Sequence, residues 1–373
     1  MAPPDARTIL LLAGRLGVHD EGWSIRPFLD RLEKEGFLAQ ILCVEAAGDA
    51  LADYRVFEIP GLGSRWRLPL AVRGLRFGDR LNRPDLVHVI SSRMGDAGLA
   101  IAERWRIPYI LTVDEFIPPE GGLRLSKKWC RRLVATSREL VGDLESQFGI
   151  PSPFIALVNP GIDPPALNLP PRDPQRVSVV GTAGPLVPSS GFATFLMAAR
   201  RVIDAGVDAE FVIAGQGEDE VDLRRRAERL KIADRVTFAG IPVVGLRFWS
   251  VLDVFCQTSL VPAVGRTLAT ALAFGVPPIA SDIPGLRALV THELNGLRTP
   301  PGDSSALACS ILELLADPGR AHRMGNEGRE IIRRDYSPAA EAKVLGELYR
   351  EALDQPLAFL NQTEKAVASP ITI

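Results

Sequence analysis

Residues 259–285 read SLVPAVGRTLATALAFGVPPIASDIPG. A loop of Pro, Val and Gly comes first. The next run, 266–274, has the length and apolar content of a short helix, and Gly275 follows it where helices commonly stop. Residues 276–280 are an apolar run of strand length, and 282–285 close it with a turn. A loop, helix and strand in this order point the helix N-terminus, with its unpaired N–H groups, at whatever lies above the sheet. Phosphate groups are the common occupants of such a place.

The same alternation extends in both directions from this stretch. Downstream, the pattern predicts helices over 305–316, 318–334 and 338–353. Upstream, it predicts strands over 177–181, 211–214 and 236–238, with helices over 192–205 and 220–230 and a helix–strand pair over 248–257. Before these lies PPALNLPPRDPQ, residues 164–175, with five prolines in twelve positions; such a run forms neither helix nor central strand and reads as a linker. The first half repeats the pattern. Strands are expected over 8–13, 38–44, 55–59, 85–90, 109–113, 133–136 and 154–158, and helices over 23–34, 97–105 and 138–148, the last with Ser137 as N-cap. Gly14, Gly17 and Gly22 punctuate the first loop without forming GxGxxG.

The motifs and their order resemble the family 4 glycosyltransferases of the GT-B fold, retaining enzymes that use nucleotide-sugar donors. The family pattern P-S-x-x-E-G-F-G-x-x-x-x-E-A-M-A-x-G-x-P-V-[VI]-A-x-x-x-G-G is met at Ser259, Gly265, Ala271, Ala273, Gly275, Pro277, Ala280 and Gly285. Its two glutamates are replaced by Pro262 and Thr270. Residues 184–191, GPLVPSSG, stand where the family has G-R-L-x-x-x-K-G, so Pro185 and Ser190 hold the places of the arginine and lysine that grip the diphosphate. Residues 85–90 (DLVHVI) and 159–163 (NPGID) are similar to two further family motifs.

The resemblance implies an α/β chain of two Rossmann-like β/α/β domains facing across a cleft, with the C-terminal helix crossing back to the first domain. The implied division is 1–163, linker 164–175, 176–336, crossing helix 337–353 and tail 354–373. It implies donor contacts at the loop glycines Gly184, Gly215 and Gly265, and the residues themselves offer replacements for the missing side chains: Arg266 and Thr267 at the helix N-terminus, the hydroxyls of Ser189 and Ser190, and Thr270 as a neutral partner for a ribose hydroxyl. It also implies an acceptor-side loop with Gly14, Gly17 and His88. A plain tight turn at Gly14 and Gly17, and a solvated Arg266, are equally compatible with the residues. Asp114 and Glu115, at a strand C-terminus, are candidate catalytic carboxylates or sugar-hydroxyl ligands; a helix N-cap or the start of a loop is the alternative.

The expected substrates are a nucleotide sugar and a glycan or lipid acceptor, with no metal and no cofactor. The expected activity is hexosyl transfer with retention at an altered diphosphate site. A catalytically silent binding or partner subunit of glycan assembly is the alternative. A net charge of -2 gives no argument for nucleic-acid binding. The four cysteines are widely spaced and read as buried thiols in a reducing compartment, and with the four scattered histidines they suggest no metal site. Residues 1–14 do not have the form of a secretory signal, and no run approaches the ~18 apolar residues of a membrane span, so a cytoplasmic protein is expected. Residues 61–83 carry six arginines against one acid, interleaved with apolar residues, and 127–132 are again basic. The first run reads as one helix, either packing its apolar side on the sheet with solvated arginines outside or lying on an anionic membrane surface, and the second is a further candidate for peripheral contact with such a membrane.

Overall fold

The computed structural model describes residues 7–16, 25–46, 51, 53–78, 81–118, 122–162, 176–240, 246–262 and 265–354. The chain divides into two units, Met1–Gly161 with Ser337–Ile373, and Ile162–Tyr336. The proline-rich stretch 164–175, Gly17, Gly22 and the tail beyond Asp354 lie outside the described residues.

The first unit contains, in chain order, β1 (Arg7–Leu12), β2 (Arg15–Leu16), α1 (Ile25–Lys34), β3 (Phe37–Cys43), β4 (Glu45–Ala46), β5 (Arg55–Glu58), α2 (Leu68–Gly74), β6 (Leu86–Val89), α3 (Gly95–Trp105), β7 (Tyr109–Val113), β8 (Cys130–Ala135), α4 (Arg138–Phe148) and β9 (Ile155–Leu157). Seven of these strands form one parallel sheet in the order β5-β3-β1-β6-β7-β8-β9. The strands are near-continuous apolar runs because helices cover both faces. Ile9, Leu11 and Ala13 of the β1 run face α1 and the last helix, α12 (Pro338–Asp354), and are buried there with Phe28, Leu32 and Tyr349. Arg350 pairs with Glu35 and Arg132 with Glu351, fixing α12 at the rim of that core. Ser137 caps α4 by accepting the Leu140 amide at 3.2 Å.

The second unit contains β10 (Ser178–Ala183), α5 (Phe192–Asp204), β11 (Ala209–Ala214), α6 (Glu220–Arg229), β12 (Val236–Ala239), α7 (Leu246–Val251), β13 (Val254–Gln257), α8 (Arg266–Ala273), β14 (Pro278–Ser281), α9 (Leu286–Leu289), β15 (Leu297–Thr299), α10 (Ser304–Ala316) and α11 (Pro318–Asp335). Its parallel sheet runs β12-β11-β10-β13-β14-β15. Alternate residues of one strand feed two cores. Val254 and Cys256 pack towards α5 and α10, and Phe255 packs with Trp249 and α8 on the other face. In both units the strand order reverses once, between β1 and β6 and between β10 and β13. Ligands of open α/β sheets sit outside the strand carboxyl ends at such a reversal.

Four expectations are corrected. Residues 61–83 are not one helix: α2 spans only Leu68–Gly74, because Gly74 and Gly78 interrupt the pattern and Pro84 follows. The second basic run is only partly at the surface: Lys127 and Lys128 are exposed, whereas Arg131 and Arg132 are 2% and 8% exposed, next to a register shift in the β7–β8 pairing. Cys309 is exposed, on the outer side of α10, whereas Cys43, Cys130 and Cys256 are buried. His88 is not in an acceptor-side loop. It lies inside β6 at 2% exposure, with Nδ1 2.5 Å from the Tyr349 hydroxyl and Nε2 2.8 Å from Thr112 Oγ1. Strand alternation turns it into the α12 core, where the imidazole ties the last helix to the sheet. Among the described residues no helix is long and apolar enough to cross a membrane.

Burial lowers the His88 pKa to about 3. The folded chain therefore resists a proton that the unfolded chain takes up near the ordinary histidine value. The histidine's contribution to stability is complete above that value and is lost as pH falls from there towards about 3. Urea unfolding of the whole chain between about pH 6 and about pH 4 should show the wild type losing about 1.4 kcal/mol per pH unit more than His88→Gln. Parallel curves for the two proteins would contradict this assignment.

Candidate functional site

In the first unit the carboxyl edge of the sheet brings Gly14, Asp114 and Glu115 to the β1–β6 reversal. Gly14 follows β1, and its carbonyl accepts the Val44 amide at 2.8 Å. A Cβ added at Gly14 would meet only Met94, at 4.0 Å, so the fold does not require glycine there. Asp114 accepts the Ser92 amide at 2.9 Å and the hydroxyls of Ser92 and Ser91 at 3.0 and 3.3 Å. It closes the turn that follows β6. Glu115 is held by Arg93, whose Nε and Nη2 donate at 2.9 and 2.7 Å. Both carboxylates thus have partners within the turn itself, Asp114 with the serine amide and hydroxyls and Glu115 with Arg93.

In the second unit the predicted donor residues gather at the β10–β13 reversal. Three loops meet there because glycines let their backbones touch. Gly191 caps α5 with φ +73°, and a Cβ on it would lie 2.0 Å from the Thr258 carbonyl oxygen. A Cβ on Gly215, at φ +151°, would lie 1.9 Å from the Gly184 carbonyl oxygen. Hydrogen bonds complete the seam: the Leu260 amide donates to the Ser189 carbonyl at 2.8 Å, and Thr258 Oγ1 donates to the Ser190 carbonyl at 2.9 Å.

The start of α8 is built in the same way. Gly265 is its N-cap, at φ +74°, with no side-chain cap. The glycine is buried because α9 lies against it; a Cβ there would come within 2.9 Å of both Leu286 and Leu289. Arg266 and Thr267, the first helical residues, are half-buried. Two glycine-capped helix ends, those of α5 and α8, thus stand on either side of the reversal, each with partial positive charge.

The neutral replacements are already engaged. Ser190 Oγ donates to the Pro185 carbonyl at 2.6 Å, within its own loop. Thr270 is 8% exposed, and its Oγ1 donates to the Arg266 carbonyl one turn earlier, at 3.1 Å. The Thr270 hydroxyl proton serves the helix, which leaves its oxygen only as an acceptor towards a ligand. Among the predicted donor side chains this leaves Arg266 as the cation.

Sequence reasoning gave no role to Gly191, Gly217 or α9. A Cβ on Gly217 would lie 2.2 Å from the Leu186 carbonyl oxygen. The signal available was the glycine spacing alone. Asp282, after β14, is held below the usual carboxylate range chiefly by the hydrogen bond from Arg287, with Arg298 close by, so these two arginines share one acid. Among the described residues no group of three or more His, Cys, Asp or Glu side chains is arranged to hold a metal ion.

Two family models match the chain, one described as Glycosyltransferase Family 4 over residues 23–165 and one described as Glycosyl transferases group 1 over residues 171–331. The lipopolysaccharide core biosynthesis glycosyltransferase LpsD of Rhizobium meliloti (strain 1021) is 28% identical over 195 residues, 52% of this chain and 54% of that protein. The D-inositol 3-phosphate glycosyltransferase of Xylanimonas cellulosilytica is 27% identical over 302 residues, 72% of each chain. The chain spans about half the length of several curated relatives it matches, LpsD among them. Among solved structures, Anabaena Alr3699/HepE in complex with UDP and glucose is similar in fold, with a TM-score of 0.73 at 18% identity over 91% of this chain and 99% of that one.

The glycine contacts can be tested against glycine conformation alone. Gly206 also has positive φ, +81°, but a Cβ there meets nothing within 4 Å. Gly206→Ala should cost about 1–2 kcal/mol in denaturant unfolding, the strain of a left-handed alanine. Gly191→Ala should cost at least about 2 kcal/mol more, because the Thr258 backbone must move. Equal losses would show that the loops are not held as described.

Proposed function

The chain belongs to the family 4 glycosyltransferases of the GT-B fold, and from that membership we propose that it transfers a sugar from a nucleotide-sugar donor to a glycan or lipid acceptor. The donor diphosphate lies at the β10–β13 reversal. The observation that carries this reading is the pair of glycine-capped helix ends flanking the reversal, with Arg266 in the first turn of α8. Amides at such ends accept an anion without a side chain, and a guanidinium there makes bidentate contacts to phosphate oxygens.

The chemistry asks mainly for charge. A departing nucleoside diphosphate gathers negative charge on its phosphate oxygens, and fixed donors aimed at that charge lower the barrier. This chain supplies them as amides and one arginine, and the proposal includes no metal. Transfer with retention, of a hexosyl group, is part of the same proposal. Replacing an arginine–lysine pair by one arginine removes about one charge-assisted contact, about 1.5–3 kcal/mol. That weakens donor binding by about 10- to 150-fold without abolishing it.

A second reading, a catalytically silent subunit that binds a glycan or a partner in glycan assembly, is favoured by one observation. Ser190 and Thr270 both spend their hydroxyl protons on neighbouring carbonyls. Nothing in these two side chains then replaces the lost charges.

Calorimetric titration of the whole chain with UDP, GDP, ADP and their glucose and mannose conjugates separates the readings. The transferase reading expects saturable binding of at least one nucleotide, weakened about 10- to 150-fold by Arg266→Ala and nearly unchanged by Thr270→Val. Absence of heat with every nucleotide at about millimolar concentration, the range of weak specific binding, would leave only the silent reading.

A further inference from the structure

We propose that the face around α2 of the first unit docks on an anionic phospholipid bilayer surface. This proposal is independent of the donor site. Its residues form a short outward-facing element. The Leu68 amide donates to the Ser64 carbonyl at 2.8 Å and the Ala71 amide to the Arg67 carbonyl at 2.9 Å, so helical spacing begins at Ser64. Trp66, Leu70 and Arg73 then share one stripe at i, i+4 and i+7. Trp66 is 92% exposed and Leu70 is 75% exposed, the two highest values for a large apolar residue among the described residues. The element is held from beneath by Val72 and Leu62, both buried, so the exposed pair is not needed to hold it in place.

The charges around the stripe decide the occupant. Arg65, Arg67, Arg73 and Arg76 are all exposed, and among the described residues none has an acidic partner. Other surface arginines do pair, such as Arg26 with Asp53, Arg93 with Glu115 and Arg224 with Glu220. Among the described residues the face is therefore apolar at its centre and positive at its rim. A tryptophan and a leucine flanked by arginines match the boundary of a bilayer. The apolar pair enters below the headgroups, and the guanidinium groups stay level with the lipid phosphates on long flexible stems. Each cation near an anionic surface strengthens binding about fivefold. The other basic run, at 127–132, exposes Lys127 and Lys128 but no apolar side chain, since Trp129 is buried together with Arg131 and Arg132.

The test is co-sedimentation of the whole chain with phosphatidylcholine vesicles, alone or with about 30% phosphatidylglycerol, the anionic component supplying the surface potential. Binding is expected to the mixed vesicles only, falling more than about tenfold as salt rises from about 0.05 to about 0.5 M. Exchanging Arg65, Arg67, Arg73 and Arg76 together for Gln should weaken binding by about several hundredfold. Trp66→Ser with Leu70→Ser should also weaken it while leaving the thermal melting temperature unchanged, because both side chains are already in solvent. Equal binding to neutral vesicles, or full binding by the four-arginine variant, would overturn the proposal. So would indifference to vesicles combined with a dimer that Trp66→Ser and Leu70→Ser dissociate in light scattering; the face would then be a contact between proteins.

Discussion

Backbone-to-backbone contact between loops is the constraint on which the second unit depends. At Gly191 the chain passes so close to the Thr258 carbonyl that a single added carbon would overlap it, and Gly215 meets the Gly184 carbonyl in the same way. These approaches set where α5 begins and bind the loops after β10, β11 and β13 into one layer over the sheet. A side chain at any of these glycines would push the layer apart, and the helix ends would no longer converge on the strand reversal. Each contact is steric, so salt and pH leave it unchanged.

Electrostatics then acts on a prepared frame. A helix end contributes about 0.3–1 kcal/mol towards an anion at an exposed site, and up to about 2 kcal/mol where it is partly buried. Two such ends and one guanidinium are comparable with the charge of a diphosphate. The arginines after β14 and on β15 add less than their number suggests, because Asp282 sits between them. In the first unit the acids at the carboxyl edge are likewise matched locally, Asp114 by the turn amide and hydroxyls and Glu115 by Arg93.

Much of the architecture was legible in the sequence because parallel strands covered on both faces are plain apolar runs, and the helices between them keep their spacing. The expected strand over 109–113 and the Ser137 cap appear where periodicity and capping chemistry put them. The site was less legible, since a motif position tells which residue stands at a loop but not what its atoms meet. His88 sits on a matching motif, yet strand alternation sends it under α12. Thr270 sits where the family has a carboxylate, yet a threonine inside a helix bonds back to the preceding turn. The basic stretch 61–83 looked like one long helix because charge and apolar residues alternate through it, and its glycines cut it to α2. Glycines 191 and 217 were visible as letters, but the carbonyl oxygens they accommodate lie far along the chain and no local pattern records them.

On the proposed reading, a nucleoside diphosphate is held at the first turn of α8 by amides and Arg266 rather than by the side chains of the family motif. Crystals of the whole chain soaked with UDP and with GDP test it directly. Diphosphate density is expected against the amides of residues 265–267, with the Arg266 guanidinium on a phosphate oxygen. Density for the nucleotide elsewhere in the chain, or at α8 with Arg266 turned away from the phosphates, would contradict it.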